Sequence, residues 1–220
     1  MKKVFSVFAQ NLAYYNDGEI AGGWIELPTT PEKIDEYIKN VVKVDSEHEE
    51  YEIADMDNYP FEYGSIQWAN VKQINKLAIV YSLLDENQKE AVQGYCSECL
   101  SSSYSINELI NLCLQADEIE YYQYEDFGIR GLSNEEKIGY MVAQENGLYE
   151  ILENNNIEHC FDFEKYGKEL SYDYMLLDNG YIVNQNNIDL NFYNNDEINE
   201  KVQEILNENS IELEEQEIEI

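Results

Sequence analysis

Asp45-Ser-Glu-His-Glu-Glu-Tyr-Glu-Ile-Ala-Asp-Met-Asp57 is the stretch on which the reading of the chain turns. Residues 49–56 alternate in the two-residue period of a β-strand, with Tyr51 and Ile53 toward a core and Glu50 and Glu52 toward water. The stretch holds seven carboxylates in thirteen residues, and no Lys or Arg occurs from residue 44 to 71. Mixed signs normally relieve like-charge repulsion on a surface, and here that relief is missing. The strand spacing sets carboxylates at i and i+2 about 6.8 Å apart, close to two axial phosphate steps along one DNA strand.

Working outward toward the N-terminus, residues 4–10 read as a first strand and 11–18 as a loop closed by Asn16-Asp-Gly18. Residues 19–27 read as a second strand interrupted by Gly22-Gly23. Thr29-Thr-Pro31-Glu32 reads as a helix start, with Pro pre-set for the first turn and Glu three residues after Thr29, and the helix runs to about Val42. With the strand at 49–56 this makes a ββαβ unit of residues 1–60.

Downstream the period changes. Trp68, Val71, Ile74, Leu77, Ala78, Tyr81 and Leu84 recur at three and four, the spacing of an amphipathic helix. A second helix starts at Asp85-Glu-Asn-Gln88 and reaches Cys99. Ser105-Ile-Asn-Glu108 is a capping box for a third, to about Leu114. Residues 61–115 therefore read as a central helical domain. Strand character returns at 117–124. Ser133-Asn-Glu-Glu136 is another capping box, and its helix stops at Gly147. Short helices follow over 148–153 and 161–170, then a hairpin over 172–183 with Asp178-Asn-Gly180 at its turn. This gives a C-terminal α+β domain at 116–184. Residues 185–220 form an acidic extension, with an amphipathic helix over 196–206 (Ile198, Val202, Ile205, Leu206) and an edge strand or frayed tail over 211–220.

The charge limits what the protein can do. Among its 220 residues, 46 acids against 13 bases leave −33, the charge of roughly 56 Å of duplex DNA. Such a field repels nucleic acid and anionic membranes and attracts proteins with basic clefts. A composition rich in Asn, Ile and Tyr and poor in Ala argues against simple halophile acidity. An EF-hand calcium loop is not announced, since Asp55-Met-Asp-Asn-Tyr-Pro60 puts Pro where that loop requires Gly. The 19 Tyr and 7 Phe supply cores, with tyrosine hydroxyls reaching water. Most of the tyrosines read as core residues rather than partner anchors.

Motifs for chemistry are weak. Cys96-Ser-Glu-Cys99 is half a zinc site without a second pair, and only His159-Cys160 could complete it. His48 sits among acids, where a raised pKa suits a surface cation better than a general base. Gly18, Gly22 and Gly23 form no phosphate-binding loop. We expect no metal, no cofactor and no catalytic residue. The N-terminus lacks the apolar region of a signal peptide, no window approaches a membrane span, and the four cysteines suit a reduced compartment. The expected location is the cytoplasm.

Asn11-Leu-Ala-Tyr-Tyr-Asn-Asp-Gly-Glu-Ile-Ala-Gly-Gly-Trp-Ile-Glu-Leu-Pro28 resembles the N-terminal segment N-L-G-K-Y-N-E-G-x-L-x-G-x-W-x-x-L-P of the ArdA-type antirestriction proteins of mobile genetic elements. Glu49-Glu-Tyr-Glu-Ile-Ala-Asp55 is similar to that family's E-E-Y-x-I-x-D strand. Phe161-Asp-Phe-Glu-Lys-Tyr-Gly-Lys-Glu-Leu170, with Asp178-Asn-Gly-Tyr-Ile-Val183, is similar to its Y-G-x-x-L segment and final strand. The likeness spans about residues 3–183 in order. Ala13-Tyr14 departs from the family's Gly-Lys, the region 85–135 is longer and matches weakly, and residues 184–220 lie outside the pattern.

The resemblance implies an elongated α+β, α, α+β protein that forms a homodimer through its C-terminal domain. Its carboxylates would imitate DNA phosphates and occupy the DNA-binding groove of type I restriction–modification enzymes. The candidate carboxylates are Asp45, Glu47, Glu49, Glu50, Glu52, Asp55, Asp57, Glu62, Asp117, Glu118, Glu120, Glu125 and Asp126. Two other readings stay open: a DNA mimic aimed at a CRISPR effector, nucleoid protein or repressor, and a small enzyme using Cys96, Cys99 or Cys160.

Overall fold

The computed structural model describes the chain apart from residues 1, 63, 65, 68, 100–103, 125–130, 184–190 and 219–220, with side chains left undescribed also at 99 and 209–218. Within it the protein is a mixed α+β chain, with nine α-helices and two three-stranded sheets among the described residues. It divides into two compact units.

The first unit comprises Met1–Leu84, Cys99–Gln115 and Leu190–Ile220. Strand β1 (Phe5–Asn11) is central in a sheet of order β2-β1-β3, with β2 (Gly22–Leu27) and β3 (Tyr51–Asp57) both antiparallel to it. Alternation decides the faces: Phe5, Val7 and Ala9 are buried, while Ser6, Phe8 and Gln10 are partly exposed. The stretch after β1 is a short helix, α1 (Leu12–Asn16), rather than a loop. Buried Asn11 caps it, its side chain accepting from the Ala13 N–H and donating to the His48 carbonyl at 3.1 Å. Helix α2 (Pro31–Asn40) starts one residue later than its capping motif suggests, because Thr30, not Thr29, accepts from the Lys33 N–H. β2 and β3 are both shorter at their N-terminal ends than the alternation implied.

Helix α3 (Val71–Leu83) buries Val71, Ile74, Leu77, Ala78 and Tyr81 as its period predicts. Trp68, read as the start of that stripe, lies outside the described residues, and the helix begins after Asn70, whose side chain accepts from the Lys72 N–H. Ile79 and Val80 are buried too, because α3 packs against α2, β2, α5 (Ile106–Leu114) and α9 (Asn195–Ile218). The Ser105–Glu108 capping box of α5 forms in both directions. The apolar positions Ile198 and Val202 of α9 are 1% and 5% exposed. Residues 211–218 continue this helix and are not an edge strand; their many Glu residues are good helix formers.

Buried polar side chains in this unit are amides. Asn75 takes the Thr29 N–H and gives a bond back to the Thr29 carbonyl. Asn111 does the same with Tyr193, and Gln115 with Asn191. Asn111 on α5 and Gln115 at its C-cap, four residues apart, hold residues 193 and 191 as a neighbouring strand would. An amide both donates and accepts, so a buried one satisfies a backbone N–H and carbonyl together without introducing a charge.

The second unit comprises Asp85–Glu98 and Ala116–Asp189. Its sheet has the order β4-β6-β5, built from β4 (Tyr121–Gln123), β5 (Met175–Leu176) and β6 (Gly180–Ile182). Residues 117 and 118, expected as the start of a strand, lie instead in a 3-10 turn, Ala116–Glu118. Helix α4 (Glu86–Cys99) joins the hairpin here: Asn179 donates to Glu90, and Gly94 lies against Leu177, which a Cβ would approach to 2.1 Å. Helices α6 (Asn134–Glu145), α7 (Leu148–Asn154) and α8 (Phe163–Leu170) make a small bundle. Its tightest point is the crossing of α6 and α8: a Cβ on Gly139 would lie 2.1 Å from the Phe163 carbonyl oxygen, and one on Gly167 would lie 1.7 Å from that of Glu135. Only glycine permits that approach.

Candidate functional site

The acidic strand β3 is bulged. Ala9 pairs with Ile53 and Phe8 with Asp55, which leaves Ala54 without a partner on β1. An extra residue in one strand shifts the alternation by one. Ile53 is buried and faces the core, yet Asp55 and Asp57 face water, as Glu52 does before the bulge. Without the bulge, the two-residue period would carry Asp55 and Asp57 to the core side. The solvent face of the sheet therefore holds three rows across β3, β1 and β2: Glu52–Gln10–Gly22, Asp55–Phe8–Trp24 and Asp57–Ser6–Glu26. Gln10 donates to Glu52 at 2.8 Å and Asn58 to Asp57 at 3.0 Å. Asp55 accepts from the Met56 N–H at 2.8 Å.

Asp45 has a local structural role. It accepts from the backbone N–H groups of Glu47 (2.8 Å) and His48 (2.9 Å) and from the His48 ring. The Glu47 bond foremost, then those from His48, holds its carboxyl below the usual carboxylate range. His48 packs on Tyr14 with ring centroids 4.8 Å apart. Asp45 thus ties its own loop, while Glu47 and Glu49 stay exposed. Glu50, expected inside the strand, precedes it and is exposed; its carbonyl accepts from the Leu12 N–H at 3.0 Å. Glu49 and Glu50 line an open notch of about 380 Å³ with Leu12, Tyr51, Ala69 and Asn70.

Glu62 is exposed, and its backbone N–H donates to the Tyr104 hydroxyl. Asp117, Glu118 and Glu120 are exposed on the second unit, where Asp117 accepts from Gln88 at 2.7 Å. Glu125 and Asp126 lie outside the described residues. Ion pairs join Lys72 to Asp35, Lys89 to Glu86 and Lys168 to Glu164 at 2.6–2.7 Å. If every Lys and Arg neutralised one acid, 46 − 13 = 33 carboxylates would still lack a basic counterpart.

Cys96 is buried on α4 and Cys160 is exposed. Among the described residues no three His, Cys, Asp or Glu side chains gather as a metal site, and no helix is long and apolar enough to cross a membrane. The residues that β1 and β2 contribute to this solvent-facing side, Trp24 and Glu26 among them, were not sequence candidates. The signal for Trp24 was present in the Gly-x-Trp of its motif, but its face became legible only with the register.

Carboxylates held outward on a packed strand, in a chain so short of counter-cations, make a strongly acidic surface. The family model for the antirestriction protein ArdA matches residues 7–183, and the chain belongs to the ArdA antirestriction family. That family acts on type I restriction–modification enzymes. Among curated proteins none matches the chain.

Proposed function

We propose that the protein is a DNA mimic whose surface carboxylates imitate DNA phosphates and competitively occupy the DNA-binding groove of a type I restriction–modification enzyme. The observation that carries this reading is the bulged strand: Glu52, Asp55 and Asp57 lie on one solvent-facing side while Ile53 anchors the strand in the core. Regular strand neighbours on one face are about 6.8 Å apart, a spacing on the scale of alternate phosphates along DNA. The −33 charge steers the protein to a basic cleft and repels nucleic acid. Lys and Arg that would contact phosphate meet carboxylates on a folded scaffold instead.

The remaining parts of this reading follow the family. The protein acts in the cytoplasm of a cell that receives a mobile genetic element, as a homodimer joined through residues 116–184. Residues 1–60, 61–115 and 116–184 serve as its successive modules, and 185–220 is an acidic extension outside the family pattern. It acts by binding and performs no catalysis. Carboxylates cannot reproduce base edges, so inhibition is indifferent to the enzyme's recognition sequence.

The test is an equilibrium competition. Labelled duplex DNA is bound to a purified type I methyltransferase and titrated with this protein. Competitive displacement, of similar potency for enzymes of different recognition sequence, supports groove occupation. A ternary complex of enzyme, DNA and this protein would overturn it.

A further inference from the structure

The solvent face that carries the aligned carboxylates is not uniformly acidic. In its middle row Trp24, 49% exposed, packs edge-on against Phe8, with centroids 5.6 Å apart and planes at 71°. Phe8 in turn stands opposite Asp55. Two residues away on the same strand face, Gly22 contributes no side chain, and a Cβ there would come within 2.4 Å of the Ala9 carbonyl oxygen. On the other side of Trp24 lies Glu26, exposed and in one row with Asp57. An indole thus packs edge-on beside the Phe8 ring, bare of a side chain where Gly22 stands, with Glu26 two residues along β2 and Asp55 across β1 in the same row.

A half-exposed tryptophan costs water-exposed apolar area, and this chain has many polar residues that a strand's solvent face would accept. Carboxylates around an aromatic ring fit one partner chemistry closely. An arginine guanidinium is planar, weakly hydrated and always charged, so it stacks on an indole face while nearby carboxylates accept its N–H groups. Trp is the strongest of the aromatic platforms for a cation. A basic DNA-binding cleft offers such side chains, since its arginines contact phosphates and bases.

We propose that Trp24, braced by Phe8, is the anchor of the interface: it receives an arginine of the partner's DNA-binding cleft, with Glu26 beside the guanidinium and Asp55 on the far side of Phe8. This rests on the DNA-mimic reading and deepens it. The carboxylates stand for phosphates, and the indole supplies a flat π surface in the place of a base. Charge alone would make the complex wholly dependent on salt, whereas an aromatic anchor adds affinity that persists when charges are screened.

The test separates the two contributions by their salt dependence. Binding of the full chain to a purified type I methyltransferase is measured from low to high salt for wild type, Trp24→Ala, Trp24→Phe and the triple variant Glu52→Gln/Asp55→Asn/Asp57→Asn. Circular dichroism and size-exclusion chromatography establish the fold and oligomeric state of each. We expect Trp24→Ala to weaken binding about tenfold at every salt concentration, leaving the slope of log affinity against log salt unchanged. Trp24→Phe falls between it and wild type. The triple variant has a shallower slope. Wild-type affinity for Trp24→Ala, beside a shallower slope for the triple variant, overturns the anchor and leaves the mimic standing. A change in slope with Trp24→Ala, or conversion of a dimer to a monomer, also overturns it, the latter by assigning this face to self-association. Wild type that neither binds the enzyme nor competes with DNA removes the mimic reading and the anchor together.

Discussion

Ile53 and Asp55 are two residues apart on one strand, yet Ile53 is buried in the core and Asp55 faces water. In a regular strand they would share a face. The unpaired Ala54 between them is what separates them, and it brings Asp55 and Asp57 onto the side of Glu52.

The two residues should therefore respond oppositely to substitution. Ile53→Ala leaves a cavity in the sheet core and should lower stability by about 2–5 kcal/mol. Asp55→Asn removes one of many like charges from a solvent-facing site and should leave stability unchanged or slightly raised. Urea unfolding followed by circular dichroism measures both. A large loss for Asp55→Asn would contradict its outward placement.

Asn111→Leu should detach the segment leading into α9. It leaves the part-buried Tyr193 N–H and carbonyl without the side chain that now satisfies both, a loss of about 1 kcal/mol. Limited proteolysis should cut near residues 191–194 sooner in the variant, and Ile198 and Val202 should gain hydrogen-exchange rate.

Gly167→Ala tests the helix crossing in the second unit. The added methyl would collide with the Glu135 carbonyl oxygen, so α6 and α8 must move apart, a cost of about 1–3 kcal/mol or more. A melting curve and a near-ultraviolet spectrum reporting on stacked Tyr140 and Phe163, 3.9 Å apart, should both change.

Tyr37 gives the fold an alkaline limit. Its hydroxyl donates to the Gly23 carbonyl at 2.6 Å and accepts from the Ala9 N–H at 3.0 Å. Burial, foremost, pushes its pKa from 10.0 up to about 12. Because the folded state favours the neutral phenol, this stabilisation is complete below the unfolded pKa near 10 and is lost as pH rises through about 12. Burial raises other tyrosines too, Tyr121 to about 12, so ultraviolet titration of tyrosinate should show one fewer late-titrating residue in Tyr37→Phe than in wild type. That variant should also be less stable near neutral pH, by about 1–3 kcal/mol.

Salt should stabilise the free protein even as it weakens the complex. Self-repulsion among unneutralised carboxylates is long-ranged at 0.01 M salt, where the screening length is about 30 Å, and is cut to about 8 Å at 0.15 M. The melting temperature should rise between these conditions, each 1 kcal/mol gained appearing as about 2–4 °C. A flat or falling melting temperature would mean that the charges are relieved in some other way.

Much of this protein was written locally. Capping residues such as Ser105 with Glu108, and Ser133 ahead of α6, marked helix starts because those bonds span only three residues. The three- and four-residue period of α3 named its buried side, and −33 named the chemistry of the surface. What the tertiary structure alone decided depends on partners distant in the chain. The bulge at Ala54 exists only against β1, so the outward turn of Asp55 and Asp57 could not be read from their own alternation. Asn11, which caps α1 locally through the Ala13 N–H, also reaches the carbonyl of His48, 37 residues away. Helix α4 joined the unit of the hairpin through Asn179 and Leu177, and α9 joined that of α3 through Ile198 and Val202. A side chain's period tells which face is apolar, but what covers that face is settled only when the chain closes upon itself.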